Sequence, residues 1–182
     1  MMYRIEKVLN HNTVMAIHQD DHKEVLIMGK GVGFGRKVAE RIEVRPEDRL
    51  YSLQKYKERG GAKEIVKSIA PEFLEVTNAV LDEAEKIFGK IDRMVLFPLA
   101  DHIAFAVKRI QNHEQISNPL TEDIRVLFHM EFKAAESIRP LLKKQFGIDI
   151  EDDEIGYVAL HIHSAIEDEN CLLYTSPSPR DV

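Results

Sequence analysis

Glycine occupies every second position from Gly29 to Gly35 in the run Met28-Gly29-Lys30-Gly31-Val32-Gly33-Phe34-Gly35-Arg36-Lys37. Glycine loses more conformational freedom on folding than any other residue, so four at this spacing need a specific use. In an extended backbone all four would share one face, and Lys30, Val32, Phe34 and Arg36 the other. Such a segment offers bare backbone on one side and cations around an aromatic ring on the other. Cations meet phosphates and a ring stacks on a base, which points toward nucleic acid rather than a small metabolite. The same stretch also suits a glycine-rich hairpin loop with no ligand. Nucleotide loops are excluded by spacing: no Gly-Lys is followed by Ser or Thr, and Phe34 stands where a dinucleotide fingerprint needs its third glycine.

The chain has 182 residues, enough for one medium domain or two small ones. No uncharged apolar run reaches the roughly 18 residues of a membrane span, so no membrane insertion is expected. The start, Met1-Met2-Tyr3-Arg4-Ile5-Glu6-Lys7, is charged and lacks the apolar core of a signal peptide. The single cysteine, Cys171, excludes an internal disulfide framework and fits a cytoplasmic location. Net charge is −6, unevenly spread: residues 1–54 hold nine Lys or Arg against eight Asp or Glu, and residues 55–182 hold sixteen against twenty-three. A polyanion contact is therefore expected only in the first part.

The hydrophobic pattern divides at about residue 54 and predicts a multidomain chain, a small all-β antiparallel sheet followed by an all-α bundle. Strands are expected around Ile5 to Leu9, over Val14–His18 and Glu24–Met28, and over Arg49–Leu53, with Asn10-His11-Asn12 as a turn. Four short strands bury little, so oligomerisation is expected to supply the missing burial. Residues 55–64 read as a linker, residues 65–169 as the helical domain, and residues 170–182, with their Ser-Pro repeats, as a disordered or non-native tail. Within the bundle, helices are expected from Pro71 to Gly89, from Met94 to Ile110, from about Asp123 to Phe146 with a kink at Arg139-Pro140, and from Asp152 to Ile166. The stripe on the first comprises Phe73, Val76, Val80, Ala84, Ile87 and Phe88.

His102 and His161 each sit among apolar neighbours on separate predicted helices, at the edge of a seam. Each alone reads as a hydrogen-bonded core histidine. A zinc site is disfavoured, because His161 and His163 are two apart on a helix and no cysteine cluster accompanies them. No serine elbow or placed cysteine supports hydrolysis. The chemistry left to paired helix-borne imidazoles is acceptance of a phosphoryl group on nitrogen. No enzyme activity and no cofactor are expected.

Residues 2–12 and 28–37 resemble the co-antiterminator RNA-binding domain of BglG/LicT/SacY-type transcriptional antiterminators. Leu99-Ala100-Asp101-His102-Ile103-Ala104-Phe105-Ala106 and Glu154-Ile155-Gly156-Tyr157-Val158-Ala159-Leu160-His161 resemble the phosphotransferase-system (PTS) regulation domain that follows it. The resemblance covers residues 2 to about 167. It implies that a sheet dimer binds an RNA hairpin in an operon leader and prevents a terminator from forming. By matching position, RNA contacts would come from Lys7, Asn10, Asn12, Gly29, Lys30, Gly31 and Phe34, with Arg36 as a further contact. His102 and His161 would be phosphorylation sites, with the phosphocarrier HPr and a sugar-permease IIB component as donors, and Asp101 would oppose the incoming charge. Family members normally carry a second regulation domain, and this sequence ends before one, as a fragment or a gene cut short at the odd tail would, so only a first-domain switch is expected. The competing reading is a phosphoryl-accepting signalling module that acts through protein contacts alone.

Overall fold

The structure is a computed structural model that describes residues 1–53, 61–114 and 116–174, with side chains described as far as residue 166. The chain divides into two compact units, Met1–Glu75 and Val76–Val182.

The first unit is built on a five-stranded antiparallel sheet, β1 Met2–Asn10, β2 Thr13–His18, β3 Glu24–Met28, β4 Arg41–Glu43 and β5 Arg49–Ser52, in the order β4-β1-β2-β3-β5. The register sets Ile5 opposite Ala16, Val14 opposite Ile27 and Ala16 opposite Val25. Side chains alternate across a sheet, so these residues share one face, and with Tyr3, Val32 and Ile42 they form a buried core. Met15, Leu26 and Tyr51, also in register, are buried on the other face. A short helix not expected from the sequence, α1 Ala62–Ser68, buries Ala62, Ile65 and Val66. Its Lys63 pairs with Glu24 at 2.8 Å and lines one cleft with Met15, which places α1 against that second face. The sheet thus has an apolar layer on both sides, and each fully buried Leu or Ile contributes roughly 1.5–3 kcal/mol. β4 was not legible because only Ile42 of its three residues is buried. Residues 55–60 of the expected linker lie outside the described residues, and α1 begins within its remainder.

Helices follow: α2 Pro71–Phe88, a 3-10 turn Arg93–Val95, α3 Leu96–Gln111, α4 Thr121–Leu127, α5 His129–Ala135, α6 Ile138–Phe146 and α7 Asp152–Tyr174. Pro71 opens α2 and Gly89 follows it, as expected. Its buried stripe is Leu74, Val76, Val80, Leu81 and Ala84, whereas Ile87 is exposed and Phe73 half-buried. The long helix expected over residues 123–146 is three helices. It breaks at Phe128, whose backbone leaves the helical region (φ −119°, ψ 51°), and again at Glu136-Ser137. Pro140 is not the break. It lies in the first turn of α6, where its missing N–H has no intrahelical partner to lose. The last helix, expected to close near Ile166, runs on to Tyr174, and the remaining tail, residues 175–182, lies outside the described residues.

Candidate nucleic-acid interface and histidine seam

The glycine run is not extended. Residues 30–35 form consecutive turns in which Val32, Phe34 and Arg36 donate backbone N–H groups to the carbonyls of Gly29, Gly31 and Gly33 at 3.1, 3.1 and 3.2 Å. The four glycines serve two purposes in alternation. Gly31 and Gly35 take left-handed backbone (φ 72° and 69°), which side-chain-bearing residues resist. At Gly29 and Gly33 the limit is space: a Cβ would overlap the Asp48 carboxylate at the first and the Asn10 carbonyl at the second. The expected outward row also divides. Val32 is 4% exposed and joins the core, while Lys30, Phe34 and Arg36 face solvent, Phe34 at 67% exposure.

Main-chain bonds stitch this loop to the β1–β2 turn, Gly29 N–H to the Asn12 carbonyl at 3.0 Å and Gly33 N–H to the His11 carbonyl at 2.8 Å. The His11 ring stands edge-on to Phe34 with centroids 5.0 Å apart. The structure therefore gathers Asn10, Asn12, Gly29, Lys30, Gly31 and Phe34 at one rim. Arg36 ends the loop and pairs with Glu40 at 3.0 Å. Lys7 is set apart, lining the cleft formed with Glu6, Met15, Lys63 and Lys67. Both asparagine side chains are engaged at each end. Asn10 Oδ1 accepts from Asn12 N–H at 2.9 Å, and Asn12 Oδ1 accepts from Gly31 N–H at 2.8 Å. Asn10 Nδ2 donates to Glu75 at 2.7 Å and Glu72 at 3.3 Å, and Asn12 Nδ2 donates to Glu75 at 2.7 Å. Arg45 and Asp48, which sequence reasoning missed, brace the loop from below. Arg45 Nη2 donates to the Lys30 carbonyl and to Asp48, both at 2.8 Å.

In the second unit His102 of α3 and His161 of α7 face each other, rings 5.3 Å apart, with Tyr157 beside His102 at 5.7 Å. Arg109 lies two turns along α3 from His102, and Glu154 two turns along α7 from His161. Arg109 Nη2 donates to Glu154 Oε2 at 2.7 Å, so the two helices run antiparallel here. Glu154 Oε1 is 3.6 Å from His102 Nε2, beyond hydrogen-bond range. Burial alone would raise the Glu154 carboxyl, but His102 and Arg109 outweigh it and hold the group below its ordinary value. Burial, with His102 adding to it, pushes His161 down to about 4, so this imidazole is neutral near pH 7. A neutral ring keeps a lone pair, the requirement for a nucleophile. Asp101, expected to oppose charge at His102, is exposed, and the facing carboxylate is Glu154. The seven-residue spacings from each histidine were the available signal for Arg109 and Glu154. His163 is separately committed, its Nδ1 2.7 Å from Glu131 and its ring against Phe128. Among the described residues no group of three or more His, Cys, Asp or Glu could hold a metal ion, and no helix is long and apolar enough to cross a membrane.

Comparison with known proteins agrees with this layout. Residues 3–60 match the CAT RNA binding domain family and residues 74–165 the PRD domain family. The chain is 33% identical over 170 residues to the GlcA/glcB genes antiterminator of Staphylococcus carnosus (strain TM300), covering 91% of this chain and 58% of that protein. It is 30% identical over 169 residues to the protein GlcT of Staphylococcus aureus (strain JH9), covering 91% of this chain and 59% of the relative. The chain thus spans a little under three-fifths of the curated relatives' length. The crystal structure of GlcT CAT-PRDI superposes with a TM-score of 0.76 at 30% identity, covering 91% of this chain and 99% of that one. With a small sheet carrying a clamped glycine rim, a helical unit carrying paired histidines, and both domain families matched in order, the chain belongs to the BglG-type family of transcriptional antiterminators.

Proposed function

We propose that this chain is an RNA-binding antiterminator that acts as a homodimer on a hairpin in the leader of a sugar-utilisation operon. In this reading His102 and His161 accept phosphoryl groups from the phosphocarrier HPr and a sugar-permease IIB component, and the helical unit converts that charge into a change in RNA grip. The observation that carries it is the rim: Lys30 and Phe34 project from a loop fixed to the Asn10–Asn12 turn, so a cation, a ring and two amides lie together. Unstacked bases in an RNA loop are read by amides and stacked on rings, while lysines meet phosphates.

The test is titration of the chain with the leader hairpin of the neighbouring sugar-transport gene. Replacing Lys30 and Phe34 together by alanine should weaken binding about a hundredfold, the sum of one stacking and one phosphate contact. Binding unchanged by the double substitution overturns the assignment. Incubation with phosphoenolpyruvate and the general phosphocarriers should give acid-labile label that a His102→Ala/His161→Ala variant loses; retained label would move the site to other residues. One observation favours the second reading, a module acting on proteins alone: Glu72 and Glu75 already hold the Asn10 and Asn12 amides. Under that reading no leader hairpin binds, whatever stands at positions 30 and 34.

A further inference from the structure

The histidine seam is short of partners. Three buried atoms around the one Glu154 carboxylate make no hydrogen bond: His102 Nε2, Arg109 Nε and Glu154 Oε1. Arg109 and Glu154 could have closed a two-pronged guanidinium–carboxylate pair, yet they share a single bond, Nη2 to Oε2 at 2.7 Å. Glu154 is 2% exposed, so solvent does not complete the set. Buried polar groups are normally satisfied, and a group of three left short around one anion calls for another occupant.

We propose that Arg109 is the residue that holds the transferred phosphoryl group at this seam, and that Glu154 keeps its place in the resting protein; the inference rests on the phosphohistidine reading above. The Glu154 carboxylate spans the gap between the two groups, 3.6 Å from His102 Nε2 on one side and 2.7 Å from Arg109 Nη2 on the other. A phosphoryl group on His102 Nε2 would stand where that carboxylate stands. It carries more negative charge than a carboxylate and three acceptor oxygens, enough to take both Nε and Nη2 of Arg109. In the transfer, the lone pair of the acceptor nitrogen forms a new P–N bond as the P–N bond of the donor phosphohistidine breaks. The donor ring recovers its lone pair, each ring keeps its other N–H, and nothing is oxidised or reduced. Two anions then compete for one cation. Glu154 gives up Arg109 and must leave its pocket at the start of α7, so Arg109 holds the phosphoryl group directly and the position of Glu154 reports the state of the seam.

The experiment compares phosphoryl uptake from phosphoenolpyruvate and the general phosphocarriers in the full chain, with thermal melting to confirm folding. Arg109→Gln should lower the labelled fraction by about tenfold or more, and Arg109→Lys should recover part of it, since one charged contact remains. Glu154→Gln should label at least as well as the parent, its competitor having been removed. The deciding variant carries both Arg109→Gln and Glu154→Gln, which leaves no unbalanced charge. If it stays as poorly labelled as Arg109→Gln, the arginine holds phosphate. If it labels like the parent, Arg109 only neutralises Glu154 and the inference is wrong. A parent chain that takes no label removes the phosphohistidine reading itself, a failure distinct from the other.

Discussion

The glycine rim of the sheet and the histidine seam of the bundle are built on opposite plans. At the rim every amide end of Asn10 and Asn12 has a partner, two of them supplied by Glu72 and Glu75. At the seam three buried atoms have none. A finished network resists change and yields only to a ligand that offers better partners. An unfinished one is held near a second arrangement, because the resting state leaves hydrogen bonds unmade. The first plan suits a surface that must keep its shape until the right nucleic acid arrives, and the second suits a switch.

Four perturbations break or sharpen this contrast, beginning with the largest. Gly33→Ala drives a Cβ into the Asn10 carbonyl and should destabilise the sheet unit by about 3 kcal/mol, whereas Gly31→Ala, in open space at φ 72°, should cost only about 1 kcal/mol. Denaturant melts of the two variants separate crowding from backbone strain, and equal losses would contradict the alternating roles of the glycines. The seam comes next. His161 takes a proton near 4 in the folded chain against 6.5 for an ordinary histidine, so between those values the unfolded chain binds more protons. Its contribution is intact above about 6.5 and fades as pH falls toward 4. Acid melts of the parent should lose about 3 kcal/mol more across that window than melts of His161→Gln, in which Glu154 still titrates.

At the rim, Glu72→Ala with Glu75→Ala frees both amides, and hairpin affinity should rise about fivefold, a little under 1 kcal/mol, in the full chain. No gain would mean that the amides are structural ties and not readers. The smallest effect is on salt dependence. Lys30→Ala should lower the slope of log affinity against log salt by about 0.7–0.9, the share of one phosphate contact.

What the sequence disclosed follows the range of the forces involved. Strand and helix positions came from local periodicity, and the glycine spacing singled out the loop while misstating its backbone. Turns satisfy the same glycines as an extended face does, and the left-handed Gly31 and Gly35, the turn hydrogen bonds and the burial of Val32 separate the two only in the folded chain. The split of the third helix was hidden because Phe128 and Ser137 carry no breaker signal, and Pro140 drew attention to a position where proline is harmless. Pairings between residues distant in sequence were not legible, even where a spacing hinted at the residues. Glu75 meets Asn12 from 63 residues away and Glu154 meets Arg109 from 45, contacts that exist only once the chain has folded.

The stitching of the glycine loop to the β1–β2 turn has a kinetic consequence. Main-chain bonds from Gly29 and Gly33 already fix the loop against its neighbour, so little ordering entropy remains to be lost when a ligand lands. Capture at such a surface needs no rearrangement of the loop and proceeds at the pace of encounter. The lifetime of the complex, more than the speed of its formation, then sets how tightly the rim holds what it meets.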